Sequence, residues 1–185
     1  MKKFIKQSVT FLQERGFESP EIGIILGTGL GQIIDKVDVL AEVSYNHIPN
    51  FPTATVEFHK GKLIYGTLAG KKVILMQGRF HLYEGYTLLD VTFPVRVMHQ
   101  LGIKKLLVSN ASGAINLDFK KGEIMLIDDH INLQGGSPLA FRGAEKMGER
   151  FVDLSAPYDA TMNELLKILL KRITLPFIRV YMRAL

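Results

Sequence analysis

The sequence predicts an α/β fold, in which short buried strands alternate with helices along the chain. Runs of consecutive apolar residues, bounded by glycine or proline, have the length and composition of buried strands. Between them lie segments whose apolar residues recur at helical spacing. This alternation is typical of a sheet layered against helices, and we predict one such domain over residues 1–185.

The first predicted elements are a helix over residues 3–14 and a strand over residues 22–26. The helix is amphipathic, and Gly16 ends it. Its apolar side is formed by Phe4, Ile5, Val9 and Leu12. The strand is continuously apolar between Pro20 and the glycines that begin at Gly27, as expected of a strand buried on both faces.

A β-hairpin is predicted next, with strands over residues 62–69 and 71–77 on either side of a turn at Gly70.

A second helix is predicted over residues 93–101. Thr92 is its expected N-cap, Pro94 fits in its first turn, and Gly102 ends it.

The remaining predicted elements are buried strands over residues 105–109 and 123–127 and a third helix. A capping box from Thr161 to Glu164 opens that helix. Its expected buried residues are Leu165, Leu166, Leu169 and Leu170.

Charge and composition narrow the function classes. The net charge is +5, but the basic residues are scattered or in short pairs, which argues against a dedicated nucleic-acid-binding protein. The chain has no cysteine, so it has no disulfide framework and no thiolate zinc site. No apolar run reaches the roughly 20 residues of a membrane span, and charged residues interrupt the N-terminus. We expect a cytoplasmic protein that binds neither nucleic acid nor membrane.

Three loops follow apolar strands, and open α/β sheets place their ligands at that edge. The first has the sequence GTGLG from Gly27 to Gly31. Its glycines let backbone N–H groups approach an anion, and Thr28 adds a hydroxyl donor. A dinucleotide-binding oxidoreductase domain is disfavoured because Gln32 stands where its fingerprint needs a third glycine. The alternative is a tight turn without a ligand.

The second loop has the sequence GRFHLYEGY from Gly78 to Tyr86. In an extended segment, Arg79 and His81 lie on the same side. The guanidinium is a fork of donors that suits phosphate oxygens, and His81 adds another donor. Glu84 can fix the orientation of His81, and Tyr83 can contact a sugar. The alternative is a surface loop with an Arg–Glu ion pair.

The third loop, SNASGA over residues 109–114, consists of small residues. They leave room for a flat ligand, and their N–H groups can bind phosphate oxygens; the alternative is again a tight turn. We expect no metal site, because Asp128, Asp129 and His130 do not converge in an extended strand.

Together these loops resemble those of the trimeric purine nucleoside phosphorylase family in its bacterial form. Six motifs stand in register between residue 3 and about residue 172. They are IILGTGLG from Ile24, GRFHLYEGY from Gly78, VTFPVR from Val91, SNASG from Ser109, DHINL from Asp129 and SPL from Ser137. The resemblance implies a mixed central β-sheet flanked by helices, and cleavage of purine nucleosides by inorganic phosphate without a further cofactor.

The resemblance also implies a role for each loop. The implied phosphate-binding residues are Thr28, His59, Arg79, His81 and Ala111. Glu84 would orient His81, and the two form the implied catalytic pair. Tyr83 would contact the ribose. The implied base-lining residues are Ala111, Ser112 and Gly113.

Family members are homotrimers in which a neighbouring subunit lends an aromatic residue to the ribose site. Met147 stands at the corresponding position of this sequence and departs from that pattern. Methionine is apolar and adaptable, so it can still cover the sugar.

Family members are also longer than this chain. Their later segments supply a glutamate that binds the purine, a serine of the phosphate site and an asparagine that stabilises the leaving base. None of these segments is present, so we expect a domain truncated at its C-terminus, without the family's later strands. Two functions stay open. The first is phosphorolysis of purine nucleosides to free base and ribose 1-phosphate. The second is an inactive remnant that binds phosphate or assembles with full-length subunits.

Overall fold

The computed structural model describes residues 1–27, 29–52, 61–173 and 177–184, the last of these by their backbone alone. They form two compact units, Met1–Ser112 and Gly113–Leu185. The single domain expected over residues 1–185 stays a prediction.

The described residues of the first unit form a mixed sheet with two α-helices. The helices are α1 (Lys2–Gln13) and α2 (Leu88–Leu101). The strands are β1 (Ile22–Ile25), β2 (Asp38–Ser44), β3 (Lys62–Leu68), β4 (Lys71–Gln77) and β5 (Lys105–Val108). Their order in the sheet is β2-β3-β4-β1-β5. Strands β2, β3 and β4 are antiparallel neighbours, whereas β4, β1 and β5 run parallel. The predicted mixed α/β fold is confirmed.

The two faces of this sheet are covered differently. On one face, apolar side chains of β3 and β4 form a cluster with Leu26 and Val37, and a 3-10 helix over Gly31–Lys36 adds Ile33 and Ile34. On the other face, α2 lies so close that a methyl group on Gly23 would meet Met98 Sδ at 3.5 Å. Consecutive residues of β3 and β4, whose side chains point to opposite faces, are buried, and Leu63, Ile74 and Leu75 are fully enclosed.

The predicted hairpin is confirmed, with β3 and β4 paired from Lys62↔Gln77 to Leu68↔Lys71. Its turn residues Ala69 and Gly70 have φ of 49° and 75°. Positive φ at both central residues is the conformation of a type I′ turn, whose twist matches that of the strands.

Helix α1 is amphipathic as predicted. Ile5, Val9 and Leu12 are buried on its inner side, as is Ser8, whose hydroxyl donates to Pro49 O at 2.6 Å. Phe4, which the sequence places on the same side, is 49% exposed.

Helix α2 begins earlier than predicted. Its N-cap is Thr87, not Thr92, and a capping box joins Thr87 to Asp90 through bonds of 2.9 and 3.2 Å. Pro94 consequently lies inside the helix. The N-cap contributes about 1 kcal/mol, and the tertiary contacts of Phe93, Val97 and Met98 hold the helix across the proline. The predicted end at Gly102 is confirmed.

Strand β5 is an edge strand of the described sheet, not the buried strand that its composition predicts. Leu107 and Val108 are 45% and 59% exposed. Strand β1 covers one edge of β5 only.

The described residues of the second unit form β6 (Ile124–Asn132), α3 (Ala160–Arg172) and β7 (Phe177–Ala184). Strands β6 and β7 are parallel. Helix α3 is capped by Asp159, whose carboxylate accepts from Met162 N at 2.8 Å, so the expected capping box at Thr161 was wrong. Of the four leucines predicted to be buried in α3, Leu170 is buried and the other three are exposed.

His130 on β6 contacts Tyr158, just before α3. The imidazole Nε2 and the Tyr158 hydroxyl form a hydrogen bond, and the ring centroids are 5.5 Å apart. Burial raises the pKa of Tyr158, and the charge of Asp129 raises it further. Among the described residues, no group of three or more His, Asp or Glu side chains has the arrangement of a metal site. Within the same ranges, no helix has the length and apolar character needed to cross a membrane.

Candidate functional site

Three adjacent parallel strands bring the predicted loops of the first unit to one edge of its sheet. Ile25 at the end of β1 pairs with Met76 of β4 on one side and with Val108 of β5 on the other. The strands end at nearly the same level, so the segments that follow them are neighbours in space. The expectation that these loops share one edge is confirmed for their described residues.

The glycine loop lies directly against the end of β5. Gly27 N donates to Ser109 Oγ at 2.9 Å, and Ser109 N donates to Ile25 O at 3.1 Å. A Cβ atom on Gly27 would lie 2.7 Å from Ser109 O and 2.9 Å from Asn110 Cα. The glycine is therefore required for a close approach of two backbones. Gly29, two residues on, has a φ of 87°, which also favours glycine.

Arg79 extends from the loop after β4 to the loop after β5. Its Nη1 donates to Ser109 O at 2.7 Å, which is the one hydrogen bond that the guanidinium makes within the described residues. Partial burial lowers the pKa of Arg79, and the neighbouring Tyr83 opposes that change. Because a guanidinium carries five N–H donors, this bond leaves donors that have no hydrogen-bond partner in the part of the chain that the structure describes.

Buried aromatic side chains hold in place the segment that carries Arg79. Tyr45 is 1% exposed, and its hydroxyl donates to Gly78 O at 2.7 Å. Phe80 is buried, with ring centroids 5.2 Å from Tyr45 and 5.5 Å from Tyr86. Arg79 and His81, on either side of Phe80, are both partly exposed, as side-chain alternation requires.

Replacing Tyr45 with phenylalanine tests this anchor. The buried ring is kept but Gly78 O loses its hydroxyl donor, so we expect a loss of about 1–3 kcal/mol in the free energy of unfolding. Urea unfolding followed by circular dichroism measures it. Tyr83→Phe is the control, since Tyr83 is 78% exposed. Equal stability of Tyr45→Phe and the unmodified chain would contradict the anchor.

His81 opens a 3-10 turn over Leu82–Glu84. Glu84 Oε1 accepts from His81 N at 2.9 Å, so this carboxylate holds His81 through its backbone. The His81 imidazole stacks on the ring of Tyr83, with centroids 4.7 Å apart and planes inclined by 17°. His81, Tyr83 and Glu84, which the sequence places in one loop, are thus in contact, and Tyr83 is 78% exposed.

The other predicted residues fall in three groups. Ala111 and Ser112 are exposed in the irregular segment after β5. Gly113 and Met147 belong to the second unit, where Met147 follows a 3-10 turn over Ala144–Lys146 and is half-buried. Thr28 and His59 lie outside the described residues.

Sequence reasoning assigned no role to Tyr45 or Ser109. Each supports the loops through a hydrogen bond to a residue distant in the chain, 33 positions for Tyr45–Gly78 and 82 positions for Ser109–Gly27. A polar residue at the end of an apolar strand was the available signal for Ser109. Nothing in the local sequence distinguishes Tyr45.

A separate open groove of about 890 Å³ lies between α1 and β2. Its lining includes Arg15, His47 and Lys62 but no residue of the three loops.

Comparison with known proteins identifies relatives for this arrangement. The model of the phosphorylase superfamily matches residues 21–182. Purine nucleoside phosphorylase 1 of Geobacillus stearothermophilus is 48% identical over 163 residues, which are 88% of this chain and 60% of that protein. Its counterpart in Bacillus subtilis is 46% identical over 176 residues, which are 95% of this chain and 65% of that protein. The chain thus spans less than two thirds of the length of these curated relatives.

Solved structures agree with these relatives. A purine nucleoside phosphorylase of Schistosoma mansoni, bound to a monocyclic inhibitor, superposes with a TM-score of 0.91 and 39% identity, covering 99% of this chain and 70% of that one. Isoform 2 from the same organism, in complex with cytosine and ribose-1-phosphate, gives a TM-score of 0.90 and 34% identity, covering 98% and 65%.

Proposed function

Because this chain belongs to the phosphorylase superfamily and matches its purine nucleoside phosphorylases over most of its own length, we propose that it cleaves purine nucleosides with inorganic phosphate. The products are the free purine base and ribose 1-phosphate. We infer further that it works as a cytoplasmic homotrimer.

One observation carries the proposal: a partly buried arginine is fixed at the edge where three parallel strands end. Arg79 is held by Ser109 O at 2.7 Å and lies in the loop beside the glycine loop. A cation whose other N–H donors have no hydrogen-bond partner within the described residues, next to glycines whose backbone can approach an anion, suits a phosphate. The related isoform 2 structure contains ribose-1-phosphate, the product that such a site would hold.

In the proposed reaction, the protein mainly positions phosphate beside the nucleoside and stabilises charge. The C1′–N bond of the nucleoside breaks, its electron pair leaves with the base, and a phosphate oxygen bonds to C1′. The proton that hydrogen phosphate loses balances the proton that the base gains. Holding phosphate beside C1′ supplies about 7–11 kcal/mol in well-aligned systems, and donors fixed before reaction need no reorganisation.

We assign the binding of phosphate, ribose and base to separate residues. Arg79, His81 and the backbone of Ala111 bind phosphate, and its negative charge stabilises the cationic sugar as the bond breaks. Glu84 holds His81 in place through the 2.9 Å bond to its backbone. The ring of Tyr83 contacts the ribose. Ala111, Ser112 and Gly113 line the base, and Met147 of a neighbouring subunit covers the sugar. Thr28 and His59 complete the phosphate site.

The proposal is tested by incubating the purified chain with inosine or guanosine, with and without phosphate. We expect free base and ribose 1-phosphate to form in equal amounts, and only when phosphate is present. Base released without phosphate would indicate hydrolysis and would contradict the proposal. A folded chain that releases no base would also contradict it.

A further inference from the structure

Ser109, at the end of β5, forms hydrogen bonds with residues at or after the ends of β1 and β4, the other two strands of the proposed phosphate site. Its hydroxyl accepts from Gly27 N at 2.9 Å and donates to Ile25 O at 3.2 Å. Its carbonyl accepts from Arg79 Nη1 at 2.7 Å. One residue at the end of β5 thus binds the end of β1, the glycine loop and the arginine of the loop after β4.

These bonds use different atoms of Ser109 for different tasks. A hydroxyl has one donor and two acceptor sites, so it can bind Ile25 O and Gly27 N at the same time. The backbone approach at Gly27 places the carbonyl of Ser109 close to the glycine loop as well, where a Cβ on Gly27 would meet it at 2.7 Å. The position of the Arg79 guanidinium relative to the glycine loop is therefore set through Ser109.

We propose that Ser109 is a positioning residue for phosphate, acting by holding the Gly27 loop and the Arg79 guanidinium in one fixed arrangement. This inference rests on the proposed function and adds a residue that does not itself touch the phosphate. The hydroxyl is the essential group, since alanine leaves Gly27 N–H without this acceptor. Threonine keeps both hydrogen bonds.

The test compares Ser109→Ala, Ser109→Thr and the unmodified chain. Hydrogen exchange at the Gly27 amide measures the contact, and calorimetric titration with inorganic phosphate measures affinity. For Ser109→Ala we expect faster Gly27 exchange and phosphate binding weaker by about 5- to 10-fold, as the loss of one hydrogen bond predicts. Its KM for phosphate rises while its KM for inosine is unchanged. Ser109→Thr keeps both properties of the unmodified chain.

The outcomes separate this inference from the proposed function. If the unmodified chain binds phosphate and Ser109→Ala binds it equally well, the inference is overturned and the proposed function stands. Equal losses in Ser109→Ala and Ser109→Thr also overturn it, as does a parallel rise in both KM values. If the unmodified chain binds no phosphate at all, the proposed function fails and the inference fails with it.

Discussion

Replacing Arg79 with alanine is expected to lower phosphate-dependent cleavage of inosine by about 100- to 1,000-fold, the effect of removing one fixed donor from a charge-stabilising site. The guanidinium is the cation that the structure fixes beside the glycine loop, through its 2.7 Å bond to Ser109 O. Steady-state kinetics with phosphate as the varied substrate measure the loss. Arg79→Lys keeps the positive charge but lacks the forked N–H donors of the guanidinium, so we expect a smaller loss of activity than for Arg79→Ala.

Two comparisons decide whether the Arg79→Ala effect is specific. Arg15→Ala is the matched control, because Arg15 is exposed and packs over the Phe11 ring at 3.5 Å, outside the three loops. It should keep the activity of the unmodified chain. Thermal unfolding of Arg79→Ala should be close to that of the unmodified chain, since Arg79 is partly exposed. If Arg79→Ala cleaved inosine as fast as the unmodified chain, the arginine would have no part in the mechanism.

Replacing Gly27 with alanine is expected to reduce the rate by about 100-fold, as a displacement of about 1 Å does in an aligned site. The added methyl group would lie 2.7 Å from Ser109 O and 2.9 Å from Asn110 Cα. Both are backbone atoms, so the glycine loop and the end of β5 must move apart. The same overlap is expected to cost about 1–3 kcal/mol in the free energy of unfolding.

Gly31→Ala is the stability control for Gly27→Ala. Its methyl group would lie 3.9 Å from Gln77 Nε2, an ordinary contact distance. We expect its free energy of unfolding to match that of the unmodified chain. Kinetics and urea unfolding of both variants make the comparison. If Gly27→Ala were as stable and as active as the unmodified chain, the close backbone approach at Gly27 would be required neither for stability nor for activity.

The fold could be predicted from the sequence wherever local chemistry determines an element. The hairpin around Gly70 follows from two strand-like runs and one turn, and the structure pairs them as expected. The start of α2 could not be predicted from Pro94, because tertiary contacts hold a proline inside the helix. The signal that would have given the correct start is the pair Thr87 and Asp90, a capping box three residues apart.

Burial was the least predictable property. The composition of β5 and α3 predicts buried segments, but burial depends on what packs against each element, and this is a tertiary property. Val108 and Leu165 are 59% and 55% exposed. An apolar residue in a strand or helix thus indicates the element without indicating how much of it is covered.

The sequence predicted where the candidate site lies but not the hydrogen bonds that support it. Strands followed by glycine-rich or polar loops predicted which segments would share an edge, because parallel strands end together. The hydrogen bonds that support that edge were not predictable, since they join distant parts of the chain; only the place of Ser109 at the end of an apolar strand gave a signal, and Tyr45 gave none.

The loops after β1, β4 and β5 are expected to form one phosphate site, and an amide-resolved NMR titration with inorganic phosphate tests this expectation. We expect saturable shifts with a single dissociation constant at residues 27–31, 78–83 and 109–112. Arg79→Ala should weaken all of them together. Shifts confined to the groove around Arg15 and Lys62, or shifts that never saturate, would contradict the claim.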